Sequence, residues 1–321
     1  MRVLVTGGRG LLGSAVVREL ASRGHEVTAL QRNPSLSGAV DRCGDITDPA
    51  AVAGAMQGQQ AVVHMAAKVA VVGAWEQFEH VNVTGTRIVL DAARAAGVRR
   101  FVHVSSPSVA HAGHALVGAP AGAADPDRAR GPYARSKAMA ELLVLAADGP
   151  DLAVTALRPH LVWGPGDTQL VDPIVERARA GRLVLIDSGS ALIDTTYIDN
   201  AASAVAAALD RCDHPDVRGR AFVVSNGEPR TVAEVLSRIT RAAGVPPPRR
   251  SIPFPVAMAA GAVAERAWEV AGRQEVPPLT RFLVEQLSTA HWFDQRQTRR
   301  ALDWRPHVSL AEGFARLAAQ S

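Results

Sequence analysis

The stretch MRVLVTGGRGLLG, residues 1–13, decides the fold. Arg2–Thr6 is β-branched and runs straight into glycine, as a buried strand does, and Leu11–Arg23 then carries apolar residues at helical spacing up to a stop at Gly24. Between strand and helix stand Gly7, Gly10 and Gly13. In such a turn the first glycine permits a tight bend, the middle one lets backbone approach a pyrophosphate, and the last lets the helix pack on the strand. The helix N-terminus, opened by Leu11, presents unpaired N–H groups and the positive end of its dipole to phosphate. A glycine triplet alone is weak evidence, but this one lies directly between the first strand and the first helix, as dinucleotide binding requires.

The next strand, Glu26–Leu30, ends in Gln31-Arg32-Asn33. A carboxylate at this point would bind the ribose 2′-hydroxyl of NAD. None is present, and Arg32 offers a planar cationic fork suited to a 2′-phosphate, with Arg9 of the turn placed to assist. NADP is therefore expected over NAD.

Further along, apolar strand-like segments alternate with helical ones. Ala61–Met65 and Arg100–Ser105 flank a helix around Val83–Ala96, and helix Tyr133–Ala147 leads to strand Ala153–Leu157. Near-continuous apolar strands alternating with helices predict an α/β, Rossmann-type doubly wound parallel sheet. After Pro165 the alternation loosens into a helix over Val171–Ala180, extended Leu183–Ile186 and Thr195–Ile198, helix Asn200–Leu209, strand Ala221–Ser225, and helices near Val232–Ala243, Val256–Ala271, Leu279–Leu287 and Leu310–Ala319. This reads as a dinucleotide domain over 1–165 with returns to the sheet near 193–226, and a smaller substrate lobe from 166–192 and 227–321.

The composition narrows the partners. The 321 residues are 47% hydrophobic with a net charge of +4, enough for a large core and a diffuse positive field that favours a phosphorylated cofactor. No basic run is interleaved with aromatics, so nucleic acid is not an expected partner. Val256–Ala271 is broken by Glu265, Arg266 and Glu269, too charged to span a bilayer, and MRVLVTGG reads as a strand, not a secretion signal. Cys43 and Cys212 lack CxxC spacing, which fits a reducing, cytoplasmic compartment.

Tyr133 and Lys137 form a YxxxK pattern, so both side chains share one helix face. An ammonium near a phenol lowers the phenol's pKa and turns it into an acid or base usable near neutral pH. Ser105 and Ser106 end the strand beginning at Arg100, where a hydroxyl faces the ligand crevice. Ser106 can hydrogen-bond a carbonyl that becomes an alkoxide, with Ser105 on the cofactor side.

TGGRGLLG, Gly44-Asp45 in GDITD, His64-Met65-Ala66-Ala67, Asn82 in HVNVTGT, SSPSV, YARSK and RPHLVWGPGD together resemble the extended short-chain dehydrogenases in order and spacing, over essentially the whole chain. DTTYIDNAA, SNGEP and PPLTRFLVEQLSTAHWF resemble the 3β-hydroxysteroid dehydrogenase-like branch, nearest to its 2-alkyl-3-oxo acid reductases of bacterial long-chain olefin biosynthesis. The resemblance implies a catalytic set of Ser106, Tyr133 and Lys137. It also implies pyrophosphate binding by Gly7, Gly10 and Gly13, adenine bordered by Asp45 and Ile46, Ala66 and Ala67 beside the nicotinamide, Asn82 as a buttress, and Pro159 and Val162 near the carboxamide. The implied reaction is NADPH-dependent reduction of a 2-alkyl-3-oxoalkanoic acid to the 3-hydroxy acid, by a homodimer that could assemble with other olefin-pathway enzymes. A 3β-hydroxysteroid or sterol-4-carboxylate dehydrogenase oxidising with NAD, and a non-catalytic dinucleotide-sensing or scaffold protein, are the rival readings. Ala110-His111 replaces the Tyr-Gly usual in sugar-nucleotide epimerases, which argues against a sugar nucleotide.

Lys68 stands out because Lys68 and Lys137 are the only lysines among 35 basic residues. It follows Ala66-Ala67 at a strand end and is expected to bind the substrate carboxylate or a cofactor phosphate. His111 and His114 have HxxH spacing without a third ligand, so no metal is expected and the loop is read as part of the substrate mouth. His160 and Trp163 are read as cleft-lining, and Tyr197, Asp199 and Asn200 as ties between the lobes.

Overall fold

The computed structural model describes residues 1–34, 39–70, 73–110, 113–271, 277 and 279–320. Seven parallel strands form the central sheet: β1 (Arg2–Thr6), β2 (Glu26–Gln31), β3 (Val40–Cys43), β4 (Ala61–His64), β5 (Arg100–Val104), β6 (Ala153–Pro159) and β7 (Arg220–Val224). Their spatial order is β7-β6-β5-β4-β1-β2-β3, so the chain reverses its direction of travel between β1 and β4. At such a switch point a crevice opens beyond the carboxyl ends of the strands.

Alternate residues of each strand enter different cores, as a two-residue side-chain period dictates. Val3, Val5, Val63, Val102 and Leu157 pack on one face with α1 (Leu11–Ser22) and the alanine-rich helix Ile198–Asp210. Leu4, Val62, Phe101 and Val154 pack on the other with α2 (Pro49–Met56), α3 (Gly85–Ala95) and α4 (Gly131–Leu145). With both faces covered, β4 is buried at every position, which is why it reads as an unbroken apolar run.

Two elements of the sheet domain escape a reading by periodicity. Edge strand β3 (VDRC) buries none of its four residues and so carries no apolar alternation. Helix α2 is instead started locally: Asp48 accepts from the Ala50 amide at 2.9 Å, and Pro49 supplies the first-turn φ. The helix expected over Val83–Ala96 begins differently, with a π-helical turn over Glu79–Thr84 that passes into α3.

Segments after β5, one of them before β6, build a second sheet in the order Arg230–Thr231, Leu192–Ile193, His291–Phe293, Leu116–Ala119. Helices Phe254–Val270 and Arg281–Ser288 meet around Ile186, Ala257 and Val284. The first of these buries little besides Ala257 and Gly261. Among the described residues no helix is long and apolar enough to cross a membrane.

Candidate active site

The glycine turn is a matter of close approach. Gly7 has φ +78°, and a Cβ there would lie 2.9 Å from the Ala66 nitrogen. A Cβ on Gly13 would collide with the Gly7 carbonyl oxygen and sit 2.9 Å from Gly8 Cα. α1 therefore rests directly on the turn, and Gly13→Ala should cost about 1–3 kcal/mol by forcing them apart. A thermal melt checks the stability loss, and a dinucleotide titration should weaken with it. Among the described residues no side chain caps α1 at Gly10, so its first N–H groups stay available, as a pyrophosphate requires. The turn thus fits a dinucleotide.

Past β2, Arg32 is exposed. Asp45 accepts from the Thr47 amide at 2.9 Å and the Thr47 hydroxyl at 2.8 Å. The amide first, then the hydroxyl and the nearby Arg32 charge, hold its carboxyl below the usual range. Ile46 beside it is buried against the sheet.

The carboxyl ends of β4, β5 and β6 bring Ala66, Ala67 and Lys68, then Ser105 and Ser106, then Pro159 and Val162, to the same edge of the sheet. Tyr133 is partly exposed and its phenol is hydrogen-bonded to Ser106, whose Oγ lies 2.9 Å from Ser108 Oγ. Burial pushes the phenol up to about 12, and the Ser106 bond pulls against it. Ser105 Oγ is buried and has no partner among the described residues.

Lys137 departs from expectation. Its ammonium turns beneath β5 instead of toward the phenol, donating to the Val104 carbonyl at 2.8 Å and lying 3.2 Å from His103 Nε2. The hydroxyl that holds the phenol down is therefore Ser106, not the Lys137 ammonium. Burial lowers Lys137 to about 8, opposed by the carboxylate of Glu141.

Asn82 links two segments of the site through its side-chain amide. Its Oδ1 accepts from Lys68 N at 2.7 Å, and its Nδ2 donates to Lys68 O at 3.1 Å and to Ser136 Oγ at 2.9 Å. Ser136 Oγ donates in turn to the Tyr133 carbonyl at 2.9 Å, so one amide ties the segment after β4 to α4. A second chain runs beneath. Thr6 Oγ1 accepts from the Met65 and Ala66 amides, so its proton goes to His64 Nδ1 at 2.7 Å. His64 Nε2 then donates to Thr86 Oγ1 at 2.9 Å, and Thr86 Oγ1 to the Asn82 carbonyl at 2.6 Å. Burial lowers His64 to about 3, which keeps it neutral and able to do both.

Other readings from sequence are revised. Trp163 is fully buried and stacks on Phe314 at 4.5 Å, so it is core and not cleft lining. His160 is also buried, edge-on to His291 and Phe293 at 5.2 and 5.1 Å. His114 is exposed, and His111 lies outside the described residues. Asn200 does act as a tie: it donates to the Val308 carbonyl at 2.6 Å and accepts from His307 N at 2.9 Å. Leu161, between Pro159 and Val162, has φ +44°, a strained conformation at the crevice edge.

Sequence reasoning missed His103 and a buried ion pair behind the site. Arg158 Nε and Nη2 meet both Glu141 oxygens at 2.9 and 2.5 Å, with the two side chains 1% and 0% exposed. Arg158 also donates to the Ala121 and Gly122 carbonyls, pinning the loop that follows Ser106. The legible signal was a lone carboxylate one turn beyond Lys137 on a buried helix face.

A parallel switch-point sheet with a glycine turn, a Ser–Tyr pair and a buried lysine on one helix face defines an NAD(P)-dependent oxidoreductase. Residues 4–256 match the 3-beta hydroxysteroid dehydrogenase/isomerase family, and the chain belongs to it, within the extended short-chain dehydrogenases. It is 44% identical over 328 residues to a 2-alkyl-3-oxoalkanoate reductase of Stenotrophomonas maltophilia, covering 100% of this chain and 99% of that one. A protein of the same name from Shewanella oneidensis is 38% identical over 328 residues, covering 98% and 85%. Among solved structures, MoeE5 in complex with UDP-glucose and NAD superposes with a TM-score of 0.75 at 24% identity, covering 100% and 98% of the two chains, which concerns the fold alone.

Proposed function

We propose that this chain reduces the 3-keto group of a 2-alkyl-3-oxoalkanoic acid to the 3-hydroxy acid with NADPH. The observation that carries the substrate is the full-length similarity to two reductases of that name. For the cofactor, support comes from Arg32 standing where an NAD enzyme places a carboxylate. Gly7, Arg9, Gly10, Leu11 and Gly13 would hold the pyrophosphate side, Arg32 a 2′-phosphate, Asp45 and Ile46 the adenine, and Ala66, Ala67, Ser105, Pro159 and Val162 the nicotinamide side. Bound there, NADPH supplies hydride. Ser106 orients the ketone oxygen by hydrogen bonding, and Tyr133 gives its phenolic proton to that oxygen as negative charge develops. The Lys137 ammonium, held by Val104 and His103 and not by the phenol, favours the phenolate left behind through its charge behind the site.

Lys68 is the residue proposed to hold the substrate carboxylate. Its backbone is clamped at both ends by Asn82, and its ammonium lies 5.4 Å from the buried Phe78 ring. The carboxylate of a 3-oxo acid is two bonds from the reacting carbon, so its counter-charge has to stand beside the crevice, as Lys68 does. Pairing also keeps the electrons on the carboxylate and disfavours loss of CO₂.

The test measures NADPH oxidation with a synthetic 2-alkyl-3-oxo acid beside NAD⁺ reduction with a 3β-hydroxysteroid, a reading the family match also favours. Turnover in the first assay alone is expected; turnover in the second alone would replace this function with the steroid one. Lys68→Ala should raise KM for the acid by about 10–100-fold, the worth of a charged hydrogen bond, and leave a neutral ketone of equal length unchanged. Equal losses on both would assign Lys68 to the cofactor.

A further inference from the structure

His64 and His103 are register partners on adjacent strands, their rings 5.4 Å apart and both fully buried. They differ in how their nitrogens are used. His64 satisfies both against hydroxyls, as a core histidine should. His103 leaves Nδ1 without a partner among the described residues and turns Nε2 to the Lys137 ammonium at 3.2 Å. A lysine ammonium only donates, so Nε2 has to be the lone-pair nitrogen, and the ring proton sits on the unpartnered Nδ1.

Taking Tyr133 and Lys137 as the reaction centre, we propose that His103 is a positioning residue for Lys137, an acceptor that fixes where the ammonium sits and helps keep it protonated. The arrangement requires a neutral imidazole. Burial first, then the Lys137 charge and His64, hold His103 far below its usual range. The groups facing Lys137 are few: Tyr133 and Glu141 on its own helix, His103 on β5 and His64 on β4, while Arg158 on β6 engages Glu141. Glu141 supports the ammonium through charge but already serves Arg158 with both oxygens. Val104 and His103 make its direct contacts, and of these only His103 varies with side-chain identity.

The first measurement is the ring ¹⁵N spectrum of the full-length protein near neutral pH, with His103 assigned by its loss in His103→Phe. A neutral ring protonated at Nδ1 is expected; an Nε2–H tautomer or a charged ring overturns the proposal. The second is the pH profile of kcat for reduction of a 2-alkyl-3-oxo acid. Activity should fall as pH rises through the Lys137 titration near 8, because the neutral amine no longer stabilises the phenolate. Removing an acceptor disfavours the ammonium, so His103→Phe should move this fall about one unit toward acid, and His103→Gln, which retains an acceptor, should recover part of the shift. An unmoved fall in a folded His103→Phe overturns the proposal; if that variant fails to fold, the tautomer decides, with the ring signals assigned through His103→Gln. Lys137→Ala separates the premise: undiminished turnover removes the reaction centre itself, whereas an inactive Lys137→Ala beside an unmoved His103→Phe removes only the role given to His103.

Discussion

Tyr133→Phe should lower kcat by about 10²–10⁴-fold, the usual contribution of a positioned general acid, while leaving dinucleotide affinity and thermal stability close to wild type. The ring is only partly buried, its replacement has the same shape, and Ser106 keeps Ser108 as a partner at 2.9 Å. What disappears is the hydroxyl proposed to hand a proton to the oxygen that Ser106 would hold. Single-turnover rates with saturating NADPH, alongside a cofactor titration, check it. Turnover within about threefold of wild type would move the proton donor elsewhere, because a loss that small is far below what a general acid supplies.

Arg158→Leu should destabilise the protein by about 3–5 kcal/mol, a large share of the roughly 5–15 kcal/mol typical of a folded domain. The cost comes from what remains. Glu141 is 0% exposed, and without the guanidinium it is a buried carboxylate that keeps no direct ion-pair partner, with only the Lys137 ammonium acting on it through charge. The Ala121 and Gly122 carbonyls lose their donor in the same step. Arg158→Leu combined with Glu141→Leu should recover much of the loss, since replacing a whole buried pair by apolar groups is often close to neutral. Urea denaturation of the two variants decides: equal instability of single and double would mean that pinning the 121–122 loop, not the orphaned charge, is the main contribution.

The features visible in the sequence are those with local causes. β1, the turn and α1 announce themselves because their geometry demands glycine at fixed points, and Tyr133 and Lys137 because helical spacing puts them on one face. β3 was invisible because an exposed edge strand has no apolar pattern. Strand Leu116–Ala119 pairs with His291–Phe293, far away in the chain, so neither segment signals the other. The orientation of Lys137 has a related cause. Spacing on a helix says which side chains are neighbours, but the carbonyl of Val104 and the ring of His103 come from β5 and outcompete the phenol for the ammonium. The π-helical turn at Asn82 likewise follows from partners outside the helix, Lys68 and Ser136, and leaves no mark in local propensity.

The helix Ile198–Asp210 lies against α1, on the face where Val3, Val5 and Val63 are buried. Until residue 210 has been made, only α1 covers that greasy surface, and strand β7 cannot yet close the sheet beside β6. A nascent chain halted at residue 165 is thus an exposed half-sandwich and not a finished unit, so maturation waits on contacts between distant parts of the chain. Such long-range closure makes folding slow and keeps an adhesive intermediate in existence for longer.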